Sequence, residues 1–274
     1  MSGARPWWES TVIYQVYPRS FQDTDDNGVG DLNGITERLS YFVDLGVDAI
    51  WISPIFKSPM ADFGYDISDY VDIDPIFGDM ADFERLVAEA HARGISVILD
   101  FVPNHSSDRH PWFIESRKSR TSPKRDWYIW QDPRQAEVRP ITGFPSLAAA
   151  IDAMRDVLRF WMRKGVDGFR VDVIWHLIKD EAFRDNPPNP NYQEGRPPNE
   201  AVTPLYTTDL PEVHDVIAVL RRTIDVSGAS SHRRNIPAGG TPGRLLMGGI
   251  SMASICRSTL HCLTFAGTPS ASSP

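Results

Sequence analysis

Short runs of apolar and β-branched residues alternate along this chain with longer stretches in which apolar positions recur every three or four residues. Four of the short runs close on polar side chains: residues 12–17, 49–53, 96–100 and 168–172. Each has the length and composition of a strand, and the stretches between them have the period of amphipathic helices. Over 79–93, Phe83, Leu86, Val87 and Ala90 stand at i, i+3, i+4 and i+7, the spacing of one buried stripe, and Gly94 follows as a stop. Further helices are predicted over 151–164, ahead of Gly165, and over 211–225. Strands and helices in this order build helices packed on a parallel sheet, an α/β fold.

Two stretches break the rhythm. About 45 residues after the third strand are rich in Ser, Arg, Trp and Pro and lack periodicity, which marks a long excursion from the sheet. Residues 186–204 contain six prolines and form a second irregular stretch.

Beyond Asp225 the composition changes. All 36 acidic residues lie in the first 225, whereas a uniform density would put about eight in the last 49. Those 49 contain none, and no Trp, Tyr or Lys either. The stretch is read as the product of a shifted reading frame or an artificial end, with a disordered tail as the alternative. The expected division is thus 1–105, first part of the sheet domain; 106–150, an inserted small domain; 151–225, the sheet domain continued; and 226–274, the atypical tail.

Charge narrows the partners. With 28 basic against 36 acidic residues the net charge is −8, which opposes binding to nucleic acid or anionic lipid and suits a neutral small molecule. No run approaches the roughly 18 apolar residues of a membrane span, and residues 1–10 lack the unbroken apolar core of a secretory signal, so a cytoplasmic location and no membrane partner are expected. Only Cys256 and Cys262 occur, too few for a disulfide framework or a zinc site.

The candidate chemistry sits at strand ends. Asp100-Phe-Val-Pro-Asn-His105 and Gly168-Phe-Arg-Val-Asp172 each end a predicted strand, and in a β/α barrel the loops at the C-terminal ends of the strands build the site. Arg170 and Asp172 are two apart, so in an extended strand they share a face while Phe169 and Val171 take the other. A guanidinium beside a carboxylate favours the ionised form that a nucleophile needs; a structural ion pair is the alternative. Asp23-Thr-Asp-Asp-Asn-Gly-Val-Gly-Asp31 offers oxygen donors at alternate positions around a glycine turn. Asp23, Asp25, Asn27, the carbonyl of Val29 and Asp31 match positions 1, 3, 5, 7 and 9 of a calcium loop with Gly28 at position 6, but Gly34 stands where the bidentate Glu would be. A hard cation such as Ca2+ suits the loop, with a turn capping the next helix as the alternative; no organic cofactor is implied.

Together with Tyr14-Gln-Val-Tyr-Pro-Arg-Ser-Phe21, Gly64-Tyr-Asp-Ile-Ser-Asp-Tyr70 and Tyr206-Thr-Thr-Asp-Leu-Pro-Glu-Val-His214, these segments resemble, in the same order, the α-glucosidases and oligo-1,6-glucosidases of glycoside hydrolase family 13, over about residues 6–133 and 154–225. The resemblance implies about half of a TIM (β/α)8 barrel with a shortened inserted domain after strand three, and retaining hydrolysis of α-linked glucose from short oligosaccharides. It makes Asp172 the nucleophile and Arg170 its orienting cation. Asp62, Tyr65 and His105 would line the glucose pocket, with Asp100 supporting it from the end of strand three. Val173 matches relatives that favour α-1,6 linkages, and the aspartate loop matches the structural calcium site of the oligo-1,6-glucosidase branch. Retaining chemistry also needs a second carboxyl group, which the family places as a Glu at the end of strand five. No Glu follows Asp225, and the family's late His-Asp pair and its Gln-Pro-Asp-Leu-Asn-like segment are absent too. Impaired catalysis, or an inactive sugar-binding remnant, is therefore expected, with self-association through open barrel edges.

Overall fold

A computed structural model describes residues 11–130, 147–231 and 263–266. Four parallel strands form its spine: β1 (Ile13–Val16), β2 (Ala49–Ile52), β5 (Ser96–Phe101) and β6 (Gly168–Val171). They lie side by side in chain order, with Ile13 opposite Ala49, Ala49 opposite Ser96, and Ile98 opposite Gly168. The connections run through α1 (Leu32–Glu37) and α2 (Leu39–Leu45), then α3 (Met80–Ala92), then α5 (Leu147–Arg163), and α6 (Val213–Ser231) follows the last parallel strand. This is half of a TIM barrel.

Strand alternation sorts the side chains into two populations. Ile50, Ile52, Val97, Leu99, Phe101, Phe169 and Val171 join the main core, and the buried stripes of the helices cover them. The intervening residues face the other side, where Ala49, Trp51 and Ile98 form a small separate cluster with Ile13 against it. That second face is the barrel interior, and Asp100 and Arg170 sit on it as register partners. Period two thus carries polar residues to the interior while their neighbours anchor the strand in the apolar layer.

Helix boundaries follow local chemistry. Asp79 accepts from the amides of Ala81 and Asp82, and the Asp82 carboxylate accepts from the Asp79 amide, closing a capping box on α3. Gly94 at φ +75 ends that element in a left-handed turn. On α5, Met154, Val157, Leu158, Trp161 and Met162 are buried, and the Trp161 indole donates to the carbonyl of Tyr70 at 2.7 Å. That bond ties α5 to the antiparallel pair β3 (Phe56–Lys57) and β4 (Asp69–Ile73), which carries the loop of Asp62 and Tyr65.

Three elements differ from the sequence reading. The β3–β4 hairpin falls in residues to which the sequence assigns no element, and the helix α4 (Pro111–Arg117) in the excursion expected to lack periodicity. A further strand, β7 (Leu263–Ala266), lies antiparallel to β6 inside the stretch set apart by composition. It covers the β6 edge, so of the two edges expected to be open only that of β1 lacks a partner strand among the described residues. Most of the atypical tail, both cysteines and residues 131–146 of the inserted segment lie outside the described residues. No helix among the described residues is long and apolar enough to cross a membrane.

Candidate active site

The C-terminal ends of β5 and β6 bring the expected cluster together. Arg170 Nη1 donates to Asp172 Oδ1 at 2.7 Å and to the two oxygens of Asp100 at 3.0 and 3.2 Å, so one guanidinium nitrogen bridges two carboxylates. The Tyr65 hydroxyl and the Trp51 indole each donate to Asp100 Oδ2 at 3.2 Å. The guanidinium carbon of Arg170 stands 5.0 Å from the Trp51 ring centroid, within cation–π range.

Exposure separates the two carboxylates. The Asp100 side chain is 0% exposed and Asp172 11%, with Arg170 between them at 13%. Asp100 is therefore enclosed by Arg170, Tyr65 and Trp51. Asp172 is also buried but keeps a small exposed part of its side chain. Burial outweighs Arg170 and pushes the Asp100 carboxyl up to about 7. Burial, followed by the charge of Asp100, also raises the Tyr65 hydroxyl.

Backbone geometry at the site is unusual in two places. Val173, directly after Asp172, sits at φ 38 and ψ 43, a left-handed conformation that costs a β-branched residue on the order of 1–3 kcal/mol. It turns the chain into the short 3-10 segment Ile174–His176, while the Asp172 amide donates to the Phe101 carbonyl at 2.8 Å and continues the strand pairing. Gly64, at φ +103, lets its loop pass close to Pro54: a Cβ there would come within 3.3 Å of the Pro54 carbonyl oxygen. Asp66 organises the same loop by accepting from Ser58 Oγ and from the amides of Ala61 and Asp62.

His105 follows β5 on a segment pinned by the Tyr70 hydroxyl, which donates to the carbonyls of Val102 at 3.0 Å and His105 at 2.6 Å. Burial lowers its imidazole pKa, opposed by the charges of Asp172 and Asp62. Those carboxylates therefore lie within electrostatic reach of it, and Asp62 itself is exposed. The fold thus gathers Asp62, Tyr65, Asp100, His105, Arg170 and Asp172 in one region.

Trp51, Asn104, Asp66 and Lys179 also take part, and reading the sequence did not find their roles. An interior-facing Trp on a strand that ends beside the site could have pointed to Trp51. Nothing in the local pattern singles out Lys179, whose Nζ donates to Asn104 Oδ1 at 2.8 Å.

The aspartate loop folds as a separate unit. Carboxylate oxygens of Asp23, Asp25 and Asp31 come within 4.8 Å of one another. Asp23 accepts from the Gly28 amide at 2.7 Å, Asp25 from the Asn27 amide, and Asn27 Oδ1 from the Val29 amide. Asp31 accepts from Thr24 and, as the N-cap of α1, from the Gly34 amide at 2.7 Å. The loop therefore converges its oxygens and caps a helix at once.

Comparison with known proteins agrees with this geometry. The pattern described as "Alpha amylase, catalytic domain" matches residues 15–149 and 146–236. A probable alpha-glucosidase of Rhizobium meliloti is 48% identical over 213 residues, covering 67% of this chain and 39% of that protein. An oligo-1,6-glucosidase of Heyndrickxia coagulans is 41% identical over 250 residues, covering 80% and 43%. Among solved structures, an alpha-glucosyl transfer enzyme matches with a TM-score of 0.76 at 41% identity, over 81% of this chain and 48% of that one. The trehalose-6-phosphate hydrolase of Bacillus licheniformis matches with a TM-score of 0.68 at 38% identity, over 80% and 42%. This chain thus spans less than half the length of each of these relatives. With four parallel strands, the polar cluster at their C-terminal ends and the catalytic-domain pattern over most of its length, the chain belongs to the alpha-amylase family of glycoside hydrolases.

Proposed function

We propose that this chain forms the glucose-binding and nucleophilic half of a retaining α-glucosidase site. The observation that carries the reading is the Arg170 bridge between a fully enclosed Asp100 and a less enclosed Asp172, at the strand ends where a barrel does its chemistry. Relatives named alpha-glucosidase and oligo-1,6-glucosidase support the substrate class, an α-linked glucoside of a short oligosaccharide. In this reading an Asp172 oxygen attacks the anomeric carbon, the glycosidic C–O bond breaks toward the leaving group, and a glucosyl ester forms. Arg170 holds the attacking carboxylate, Tyr65 stacks on the sugar, and Asp62 and His105 bond its hydroxyls. Val173 favours α-1,6 linkages.

The leaving oxygen needs a proton, and retaining enzymes take it from a second carboxyl group about 5–5.5 Å from the first. Asp100 has a raised pKa but is enclosed, so it cannot reach a leaving group. No Glu follows Asp225 in the 274 residues. In this reading no second carboxyl group is assigned among these residues, and the 274 residues alone are expected to bind sugar and to turn over natural glucosides poorly. The enclosure of Asp100 favours a second reading, a purely sugar-binding role.

An activated α-glucosyl fluoride separates the two, because fluoride departs without protonation. Intact-mass and peptide mass spectrometry should show one glucosyl group on the peptide containing Asp172, and none in Asp172→Asn. Sugar binding without the adduct would favour the purely sugar-binding role, and neither binding nor adduct would overturn both readings.

The aspartate loop fits a hard cation: its donors are all oxygens, and three carboxylates converge. Asp23, Asp25, Asn27, the Val29 carbonyl and Asp31 would hold Ca2+, which would supply structural charge neutralisation and no chemistry. Self-association through the β1 edge is also proposed; sedimentation of the purified chain as a stable monomer would count against it.

A further inference from the structure

We propose that Lys179 is a positioning residue that fixes the tautomer of His105, keeping Nδ1 as a hydrogen-bond acceptor and the proton on Nε2. Lys179 lies just beyond the turn that follows β6, three residues after His176, and its Nζ donates both to the His176 carbonyl and, at 2.8 Å, to Asn104 Oδ1. Asn104 Nδ2 in turn stands 3.1 Å from His105 Nδ1. The three side chains form a line from the β6 loop to the β5 loop.

Donor and acceptor rules then leave one solution. An ammonium can only donate, so Asn104 must turn its oxygen to Lys179 and its NH2 to His105. An amide NH2 can only donate, so His105 Nδ1 must accept and carry no proton. The opposite rotamer of the amide would set two donors against each other at Lys179. The choice of tautomer is thus made two residues away from the imidazole, by a cation whose own position is fixed by a backbone carbonyl. Around the ring, Asp172, Asp62 and Asp66 favour the protonated form, whereas burial and the charge of Lys179 oppose it. Because Tyr70 pins the carbonyls on either side of Asn104, the amide and the imidazole cannot drift apart along the chain.

The consequence is a single N–H donor on His105. Its use on a sugar hydroxyl rests on the function proposed above; the tautomer does not, so the two can fail separately. The test is 15N NMR of the full chain at pH 7 with labelled histidines, seven in all, the His105 signals being assigned by their loss in His105→Gln. Wild-type chain should show His105 as the neutral Nε2–H form. Lys179→Met frees the amide to turn its oxygen toward the ring, and the single tautomer should be lost in favour of a population with Nδ1–H. Asn104→Asp keeps a partner for Lys179 but offers His105 only acceptors, so Nδ1 should become protonated; this variant decides the matter if Lys179→Met does not fold. An Nδ1–H form in the wild type, or an unchanged tautomer in the deciding variant, overturns the proposal. No sugar is present in these spectra, so failure of the glucosyl fluoride experiment leaves their outcome unaffected.

Discussion

The Asp100–Arg170–Asp172 cluster and the loop of Asp23, Asp25 and Asp31 each bring carboxylates close together, yet they handle the charge differently. In the first, the counter-ion is a side chain of the same fold: Arg170 reaches both carboxylates, and Tyr65 and Trp51 complete the shell of Asp100. In the second, Asp23 and Asp25 are held by groups of the loop itself, chiefly backbone amides. A buried cluster needs a fixed cation, because desolvation makes an unpaired charge expensive. An exposed loop can leave its cation to solution. The first arrangement balances its charge within the fold, and the second leaves that balance to groups of the loop and to solution.

The comparison breaks most visibly at Arg170. Arg170→Met strips the cation from two carboxyl groups and is expected to destabilise the fold by about 3–5 kcal/mol in chemical denaturation, the usual cost of removing one partner of a buried pair. A loss under about 1 kcal/mol, typical of a surface pair, would show that Asp100 and Asp172 do not depend on it.

Next in size is a pH effect with opposite signs in the two regions. Burial raises the folded-state pKa of Asp100, so its contribution is full below its ordinary value near 4 and is lost as pH rises to about 7. The decline amounts to up to about 4 kcal/mol at 1.36 kcal/mol per pKa unit. The amide of Gly28 lowers the pKa of Asp23, so that residue's contribution is present above the ordinary value and lost as pH falls. Measured stability of Asp100→Asn should therefore lack most of the wild-type decline between about pH 4 and pH 7, and Asp23→Asn should keep it. Parallel curves for wild type and Asp100→Asn would mean that Arg170 holds Asp100 ionised throughout.

How much of each region was legible in the sequence follows from what holds it. The four parallel strands are legible with ends within one residue, because burial on both faces of a parallel sheet leaves short, largely apolar runs bounded by polar residues. The hairpin was missed because β3 has two residues and its loop is ordered by Asp66, a tertiary arrangement without periodicity. Helix α4 is seven residues long and opens on a proline, too short for a period to emerge. The sequence pattern starts α5 at 151, inside the observed helix, because its first turn, Leu-Ala-Ala-Ala, offers no contrast between faces. At the site, Arg170 and Asp172 could be paired from spacing alone, whereas Lys179 meets Asn104 only when two loops 75 residues apart come together.

A smaller effect sharpens the second half of the comparison. If the loop binds Ca2+, adding it at about a hundred times its dissociation constant should stabilise the chain by about 2.7 kcal/mol. That gain should vanish in Asp23→Asn and leave the Arg170 cluster unaffected. An equal gain in wild type and variant would place any calcium elsewhere.

The smallest effect separates ligation from capping, which coincide at Asp31. Without calcium, Asp31→Ala removes the N-cap of α1 and the partner of Thr24, and should cost about 1–2 kcal/mol, the upper range for a lost cap. Asp31→Asn keeps a side-chain oxygen for the Gly34 amide but surrenders the negative charge, so its stability without calcium should stay near wild type. With calcium the order of importance changes, since a neutral oxygen is a weaker partner for a divalent cation than a carboxylate. Asp31→Asn should then lose much of the calcium-dependent gain while its helix remains capped. If instead the Asn variant loses as much stability as Ala without calcium, Asp31 acts through its charge on the helix terminus and the loop. If it keeps the whole calcium response, the loop's oxygens do not form an ion site, and the three aspartates remain a turn that caps a helix.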